Sequence, residues 1–445
     1  MCLTCALAAN AGENDDNLVR NADFKQSGEG SLPADWSLWG QSWPGACATV
    51  RMAREGLLVE APGKPYAVGG VVQEVEGVEG GQAYAIEAAC RLKGIASPYR
   101  SVQVRVGWTK DGRLTHPAGW LVRGPTVTGK TATFDDVLVA PEDADGARLS
   151  LEVKWPQGGS VTWKSVSIRP GTAPPARKAK VGTVYLRPKN STVEKNMDLW
   201  CAQIDKAGEL GLDIVCLGEA ILVVGTGKSH ADVAEPIPGP QTERLGEVAR
   251  RNNIWVVAGL VELDSDLMYN TAVLLDREGK LAGKYRKVHL PREEWIKGIT
   301  PGDEYPVFET DFGTVGIQIC YDWFFAEPTA LLARNGAEIV FAPTWGNTKP
   351  DIEGRAEGET VFRVRARDNG VYMAPSVYGG NSLVIDPLGR ILASNEGKEG
   401  VVWAEVDLNV REALDWVGYW RSIGPRHRMP HTYGPLIEEP QEPSH

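Results

Sequence analysis

Three side chains that could cooperate in covalent catalysis each stand at the end of a strand-like run. Cys320 ends TVGIQIC, Glu219 ends LDIVCLGE, and Lys287 lies in KYRKVHL near the end of a predicted hairpin. A thiol is only a few per cent ionised at neutral pH, so a nucleophilic cysteine needs a neighbouring base. A buried carboxylate beside an ammonium group stays ionised and can take the thiol proton. The ammonium can stabilise the negative charge that develops on the reacting group.

The surroundings of Cys320 alone leave two interpretations open. The residue lies where a strand turns towards a helix whose first turn contains Pro328 and whose C-terminal cap is Gly336. Backbone N–H groups and a helix N-terminus there favour a thiolate or an oxyanion. A lone cysteine is nevertheless more often a small buried hydrophobe, the interpretation kept for Cys201 and Cys216. Taken separately, Glu219 and Lys287 are also explained as structural charges.

The elements that must position these residues alternate between strand and helix after residue 181, which predicts an α/β domain. Runs typical of strands are KVGTVYLR, LDIVCLGE, IWVVAGLVEL, TVGIQIC and AEIVFAPTW. Runs typical of helices are TVEKNMDLWCAQIDKAGELG, PQTERLGEVARRNN and EPTALLARNG. The run YNTAVLLDREGKLAGKYRKVHL predicts a hairpin with its turn at residues 277–279.

Residues 17–169 have a different character, with short strand-like runs separated by Gly, Pro and Asp. This spacing predicts an all-β domain, a two-sheet sandwich or jelly roll. The linker PGTAPPARKAK, residues 170–180, joins it to a second domain predicted over 181–436, with a tail at 437–445. Seven tryptophans occur before the linker, and most are expected in the sandwich core, with one or two free to stack on a sugar.

Charge and composition exclude several classes of protein. The net charge of −11 argues against a general affinity for nucleic acid or anionic membranes, and no apolar run approaches the length of a membrane span. Seven widely spaced cysteines form neither a disulfide framework nor a zinc ribbon, although a Cys47–Cys90 bridge stays open. His427 and His431 are separated by a proline, so no helical metal pair is expected. Neither a metal nor an organic cofactor is predicted.

The opening residues 1–16 are rich in small apolar side chains and are followed by a polar stretch. They are typical of a signal-peptide tail, but they lack a basic n-region, so a disordered terminus is the alternative. We therefore expect an exported or periplasmic protein before a cytoplasmic one.

Residues 181–436 resemble the nitrilase superfamily, the carbon–nitrogen hydrolases. DIVCLGE is similar to the family's glutamate motif, GKYRKVHL to its lysine motif and GIQICYDWFFAEPTALLARNGAEIVFAPT to its nucleophile motif. RARDNGVYMAPSVYGGNSLVIDPLGRILA and RMPHTYGPL are similar to later segments. The start of the β-domain, NLVRNADFKQSGEGSLPADWSLWG, resembles galactose-binding-like or carbohydrate-binding jelly rolls through its spacing and aromatic residues.

The superfamily resemblance implies a four-layer αββα sandwich with a Glu-Lys-Cys site. Glu219 would be the general base, Cys320 the nucleophile and Lys287 the oxyanion stabiliser, together with the N–H of Tyr321. The family's second glutamate would be Glu294, preferred over its neighbour at 293 by the interval from the lysine. The resemblance also implies a homodimer or larger oligomer.

Two departures from the family pattern concern loop shape rather than reacting groups. Gly218 stands where a proline usually precedes the glutamate, and Ala326 stands where a proline precedes Glu327. The substrate pocket is predicted to involve Tyr321, Trp323 and Trp345, which follow strand ends.

The predicted reaction is hydrolysis of an amide or N-carbamoyl C–N bond, because Cys-Tyr-Asp resembles the amidase and carbamoylase branches more than the Cys-Trp-Glu of nitrile-cleaving members. Three alternatives remain. One is nitrile hydrolysis, and another is a Cys-His hydrolase that uses His289. The third is a glycan- or partner-binding protein with an inactive hydrolase domain, in which the β-domain contacts a polymer.

Overall fold

A computed structural model describes residues 16–27, 32–346 and 358–438 of the chain. The predicted leader lies almost wholly outside the described residues, as does most of the predicted tail. Contacts between Cα atoms divide the chain into two units. One contains the residues up to Pro175 together with those from Ala413 onward, and the other is Ala176–Glu412.

The described residues of the first unit form twelve strands in two antiparallel sheets, in agreement with the predicted all-β domain. Its strands are β1 Ser37–Gly40, β2 Thr49–Ala53, β3 Gly56–Glu60, β4 Val68–Val75, β5 Ala83–Lys93, β6 Val102–Lys110, β7 Arg113–Leu114, β8 Trp120–Leu121, β9 Thr126–Thr128, β10 Thr131–Val139, β11 Gly146–Lys154 and β12 Ser160–Pro170. A 3₁₀ turn, Pro44–Ala46, and the short helix α1, Pro98–Ser101, lie between strands. One sheet has the order β1-β4-β11-β6-β7 with β8 paired to β6, and the other has the order β2-β3-β12-β5-β10-β9.

The two sheets of the first unit share one apolar core. Alternate residues of β5 and β10 are buried, as expected for strands with one face inward, and Val71, Leu151 and Ile86 from the two sheets belong to the same cluster. The tryptophans divide: Trp36, Trp108 and Trp163 are buried, Trp43 is 73% exposed, and the other three are partly exposed. The bridge that the sequence left open is absent, since Cys47 and Cys90 are both free thiols.

In the part of the second unit that the structure describes, there are two further six-stranded sheets. Its elements are β13 Lys178–Tyr185, α2 Val193–Glu209, β14 Ile214–Cys216, α3 Pro240–Asn252, β15 Trp255–Asp264, β16 Leu267–Leu275, β17 Leu281–Arg286, α4 Arg292–Trp295, β18 Val307–Glu309, β19 Thr314–Ile317, a 3₁₀ turn Cys320–Phe324, α5 Glu327–Arg334, β20 Ile339–Thr344, α6 Glu359–Asn369, β21 Tyr372–Val377, β22 Leu383–Ile385, β23 Ile391–Ser394 and β24 Gly400–Asp407. The sheet orders are β17-β16-β15-β14-β13-β24 and β18-β19-β20-β21-β22-β23.

The direction of these strands explains why residues distant in sequence meet. In the first sheet β13, β14 and β15 are parallel, and β17 runs in the same direction because two antiparallel pairings separate it from β15. In the second sheet β19, β20 and β21 are parallel. One apolar cluster contains Val181 and Val257 from the first sheet with Ile317 and Phe341 from the second, so the two sheets pack face to face. Residues of α2 and α3 pack with the first sheet, and residues of α5 and α6 with the second.

The chain from Ala413 onward groups with the first unit, whereas the sequence analysis assigned residues up to 436 to the second domain. This segment contains α7, Trp420–His427, and the 3₁₀ turns Pro430–Thr432 and Gly434–Leu436. Sequence periodicity does not record which unit a terminal segment joins, because that depends on contacts far away in the chain. Within the described ranges, we find no helix long and apolar enough to cross a membrane.

Candidate active site

The segments that follow β14 and β17, together with helix α4, bring a lysine and two carboxylates together. The Nζ atom of Lys287 lies 3.0 Å from Oε1 of Glu219 and 2.7 Å from Oε1 of Glu294. The side chain of Lys287 is fully buried, and that of Glu219 is 2% exposed. Burying an ammonium group is tolerated only when it is paired and hydrogen-bonded, a condition met by these contacts.

Glu219 is held from several sides. The Nδ2 group of Asn270 donates to Oε1 of Glu219 at 2.8 Å, and the backbone N–H of Trp345, which follows β20, donates to Oε2 at 2.6 Å. The hydroxyl of Tyr378 donates to the backbone carbonyl of Glu219 at 2.7 Å. These bonds fix both the chain and the carboxylate, which therefore points in one direction.

The glycine in place of the usual family proline has a local explanation. A Cβ atom at Gly218 would lie 2.2 Å from the hydroxyl oxygen of Tyr378, the same group that holds the carbonyl of Glu219. The space beside residue 218 is therefore filled by a tyrosine from another part of the chain.

Cys320 stands at the end of β19 in a left-handed backbone conformation, with φ of 41°. A non-glycine residue in this region is uncommon, and such strain clusters at functional sites. Helix α5 begins only at Glu327, so the 3₁₀ turn, not an α-helix N-terminus, surrounds the cysteine. The expected influence of an α-helix N-terminus on Cys320 is therefore not observed.

The charges around Cys320 favour the thiol in the resting site. Burial raises the pKa of the Cys320 thiol, and the negative charge of Glu219 raises this pKa further. The ammonium of Lys287 and the backbone N–H of Trp345 act in the opposite direction. The sequence interpretation that the turn favours a thiolate stays a prediction.

The second carboxylate has a different ionisation behaviour. Burial and the charge of Glu219 raise the pKa of Glu294 to about 7, despite the opposing effect of Lys287. Burial alone would lower the pKa of Lys287, but Glu219, Cys320 and Glu294 together raise it, so the lysine stays charged. Glu293, the alternative second glutamate, is exposed.

The other predicted site residues are distributed differently. Trp345 is half-buried, its backbone contacts Glu219, and its ring meets Tyr378 edge-on. Tyr321 is half-buried in the turn after Cys320. Trp323 is only 4% exposed and packs with Phe362 in an apolar cluster, which is a core position rather than a pocket wall.

His289 contacts a carboxylate and an aromatic ring. Its Nδ1 atom lies 2.9 Å from Oδ1 of Asp322, and its ring stacks on Phe325 with centroids 4.0 Å apart. Its recorded partners are thus Asp322 and Phe325 instead of the sulfur of Cys320.

Sequence reasoning missed Asn270 and Tyr378. Asn270 interrupts the apolar run of β16 in a fully buried position, so a lone amide in YNTAVLL was the available signal. No comparable signal marked Tyr378, which looks like an ordinary strand-end aromatic. Among the residues that the structure describes, no group of three or more His, Cys, Asp and Glu side chains could hold a metal ion.

Comparison with known proteins decides the family. The model of the carbon-nitrogen hydrolase family matches residues 180–415, which is more than half of the chain. The chain belongs to the carbon-nitrogen hydrolase family. The superfamily membership predicted from the three motifs is therefore confirmed.

Relatives of this hydrolase carry more than one activity name. The omega-amidase NIT2 of Xenopus tropicalis is 34% identical over 233 residues, which are 48% of this chain and 83% of that protein. A nitrilase of Pyrococcus abyssi is also 34% identical, over 52% of this chain and 90% of its own. The crystal structure of Saccharomyces cerevisiae Nit3, a member of branch 10 of the nitrilase superfamily, matches with 28% identity and a TM-score of 0.47, over 52% of this chain and 90% of that one.

Proposed function

We propose that this carbon–nitrogen hydrolase cleaves the amide or N-carbamoyl bond of a small molecule through a thioester on Cys320. The sulfur attacks the carbonyl carbon while Glu219 takes the thiol proton. Lys287 and the N–H of Tyr321 stabilise the oxyanion. Glu219 then passes the proton to the nitrogen, and the C–N bond breaks to release ammonia or an amine.

The second half of the reaction returns the enzyme to its starting state. Glu219 takes a proton from water, which attacks the thioester carbon, and the carboxylic acid leaves as the sulfur regains its proton. Every proton in both halves is carried by Glu219 or water.

The observation that carries this proposal is the buried contact of Lys287 with Glu219, beside the strained turn of Cys320. A structural ion pair alone would not account for the left-handed cysteine next to it. The raised thiol pKa also requires a base near the sulfur, and the charge of Glu219 already acts on that pKa.

Replacement of Glu219 by Gln tests the assigned base. We expect kcat to fall by at least about 100-fold, the usual range for a lost general base. The matched control is Glu262→Gln, because Glu262 is equally buried and is paired with Lys284 of β17, the strand that Lys287 follows. The control should lose stability but keep most of its kcat; equal losses in both variants would contradict the role of Glu219.

Ammonia release from primary amides, N-carbamoyl compounds and nitriles decides the substrate class. Cys-Tyr-Asp at the nucleophile supports amides, and the names of the relatives include both an amidase and a nitrilase. Turnover of nitriles alone would overturn the amide proposal.

The finer architecture belongs to the same proposal. We infer a four-layer αββα arrangement for the second unit, a jelly roll for the first and a homo-oligomer for the whole. The apolar clusters that join the two sheets, and each sheet to two helices, support the layered arrangement.

A groove in the first unit favours glycan contact as a second function. It has a volume of about 730 Å³ and lies beside the β6–β7 hairpin. Its lining residues include Trp120, an aromatic surface for a sugar face, with Lys110, Arg113, Asp111 and Asp143 as donors and acceptors for hydroxyl groups. Two cations and two carboxylates balance, which suits a neutral sugar.

Affinity electrophoresis of the full chain in gels containing galactomannan, xylan or pullulan tests glycan binding. Retardation that Trp120→Ala abolishes is the expected result, and Trp43→Ala, which removes an exposed tryptophan outside the groove, is the control. No retardation on any of the three polymers, or retardation unchanged by Trp120→Ala, would contradict this second function.

A further inference from the structure

One buried carboxylate joins two segments of the candidate site. Asp322 has no exposed surface and accepts four hydrogen bonds. Its Oδ2 atom accepts from the hydroxyl of Tyr285 at 2.7 Å and the N–H of Ile319 at 2.9 Å. Its Oδ1 atom accepts from the N–H and Nδ1 of His289 at 3.0 and 2.9 Å.

The donors are arranged around the two reacting groups. Tyr285 and His289 stand two residues before and two residues after Lys287. On the other segment, Ile319 directly precedes Cys320, and the N–H of Asp322 also donates to the carbonyl of Ile319 at 3.0 Å. A single carboxylate thus holds the chain on both sides of the lysine and closes the turn that contains the cysteine.

We propose that Asp322 is a positioning residue that fixes the separation between the sulfur of Cys320 and the ammonium of Lys287. The inference rests on the proposed function, in which Lys287 must meet the oxyanion formed at Cys320. Misplacement of a reacting group by about 1 Å costs about 100-fold in rate, so a rigid connection between the two segments has a direct catalytic effect.

The arrangement suits an ionised carboxylate and not an amide. Each oxygen of Asp322 accepts two bonds, and bonds to an ionised acceptor are short and about twice as strong as neutral ones. Among the described residues, no lysine or arginine forms a recorded ion pair with Asp322. Its charge is therefore balanced by donors from the two segments, and this makes the carboxylate a connector instead of half of a salt bridge. In Asp322→Asn, an NH₂ group would face two donors, and one segment would lose its anchor.

The test compares Asp322→Asn with Asp386→Asn in steady-state hydrolysis of an amide. Asp386 is a matched control, because it is 3% exposed and also accepts from backbone N–H groups, in the β22–β23 turn. We expect kcat to fall about 100-fold in Asp322→Asn with KM within about threefold, since transition-state geometry is lost and ground-state binding is kept. The control, Asp386→Asn, should keep its kcat although its melting temperature falls by about as much as that of Asp322→Asn. An unchanged kcat in Asp322→Asn, or equal losses in both variants, overturns the proposal.

A second pair of variants covers the case in which Asp322→Asn does not fold. Tyr285→Phe removes one donor to Asp322, whereas Tyr305→Phe removes a hydroxyl from the ring stacked on Tyr285. We expect about a tenfold loss of kcat in the first and little change in the second. Equal activity of these two variants contradicts the connection.

A readout without an amide separates failure of this inference from failure of the proposed function. The rate of alkylation of Cys320 by iodoacetamide is followed by mass spectrometry at one alkaline pH, with about 1 mM reagent as a starting condition. Lys287 favours the thiolate, so loosening the connection should slow the alkylation in Asp322→Asn and leave its rate unchanged in Asp386→Asn. If no amide is hydrolysed, this rate still decides: an unchanged rate in Asp322→Asn overturns the positioning role.

Discussion

Two carboxylates share one ammonium group, and their unequal surroundings give them different tasks. Glu219 receives hydrogen bonds from Asn270, Lys287 and the backbone of Trp345, whereas the Oε2 atom of Glu294 is buried without a recorded partner in the described residues. In the proposed mechanism Glu219 accepts the thiol proton, and Glu294 orients Lys287.

Replacement of Glu294 by Gln should change the pH dependence of the enzyme. Because burial and Glu219 raise the pKa of Glu294 to about 7, we expect a wild-type inflection of kcat/KM near pH 7 that Glu294→Gln lacks. Glu293→Gln, which changes the exposed neighbour, is the control and should keep the inflection near pH 7. A pH–rate profile of the three proteins checks this, and an inflection retained in Glu294→Gln would refute the assignment.

The same carboxylate predicts a sign for the pH dependence of stability. A pKa raised from 4.5 to about 7 means that the folded state keeps a proton that the unfolded state loses. The contribution of Glu294 to the free energy of unfolding is therefore fully present below about pH 4.5, and it is lost as the pH rises through 7. Wild type should lose melting temperature relative to Glu294→Gln between pH 5 and 8, by a few °C.

At the scale of the elements, the site depends on the contact between the segment that follows β14 and Tyr378, which follows β21. A Cβ atom at Gly218 would lie 2.2 Å from the hydroxyl oxygen of Tyr378 and 2.4 Å from the nearest ring carbons. Gly218→Ala should therefore destabilise the second unit by about 1–3 kcal/mol, the cost of overpacking, and displace Glu219. Thermal unfolding and kcat measured together check this expectation.

A double mutant separates this contact from a general effect of the substitution. If the clash with Tyr378 is the cause, Gly218→Ala with Tyr378→Ala should be less destabilised than the sum of the two single variants. Additive losses would show that the substitution acts through another contact.

Most of the elements around the site could be predicted from sequence, because their signals are local. Alternating strands and helices, the hairpin before Lys287 and the helix that starts near Pro328 all correspond to observed elements. The three candidate side chains were predicted from strand ends and motif resemblance. Asn270, Tyr378 and the backbone N–H of Trp345 were not, because each acts through a contact with a residue more than fifty positions away. Trp323 was assigned to the pocket instead of the core because its burial depends on a cluster, including Phe362, that the sequence alone does not place beside it.

At the scale of the whole molecule, the chain from Ala413 onward completes the first unit. Arg426 in α7 is 2% exposed, donates to the backbone carbonyls of Tyr99 and Gly124, and stacks on the ring of Tyr99 at 4.2 Å. These bonds tie the last helix to segments more than 300 residues earlier in the sequence. The β unit is therefore built from both ends of the chain.

Arg426→Ala should destabilise the first unit by about 2 kcal/mol, since two partly buried hydrogen bonds to the carbonyl groups of Tyr99 and Gly124 are lost. Hydrogen exchange around residues 99–124 should rise, while kcat stays unchanged because the recorded contacts of Arg426 are within the first unit. Arg428→Ala is the matched control, because Arg428 is exposed and stacks on Tyr433. Equal exchange in the two variants would contradict the role of Arg426.

The central claim is that Cys320 forms an acyl thioester during C–N cleavage. Rapid quenching of the enzyme with excess amide, followed by peptide mass spectrometry, measures this directly. We predict an acyl adduct on the peptide that contains Cys320, none on those containing Cys201 or Cys216, and loss of both adduct and hydrolysis in Cys320→Ala. Hydrolysis that persists in Cys320→Ala, or an adduct only on another residue, would contradict the account.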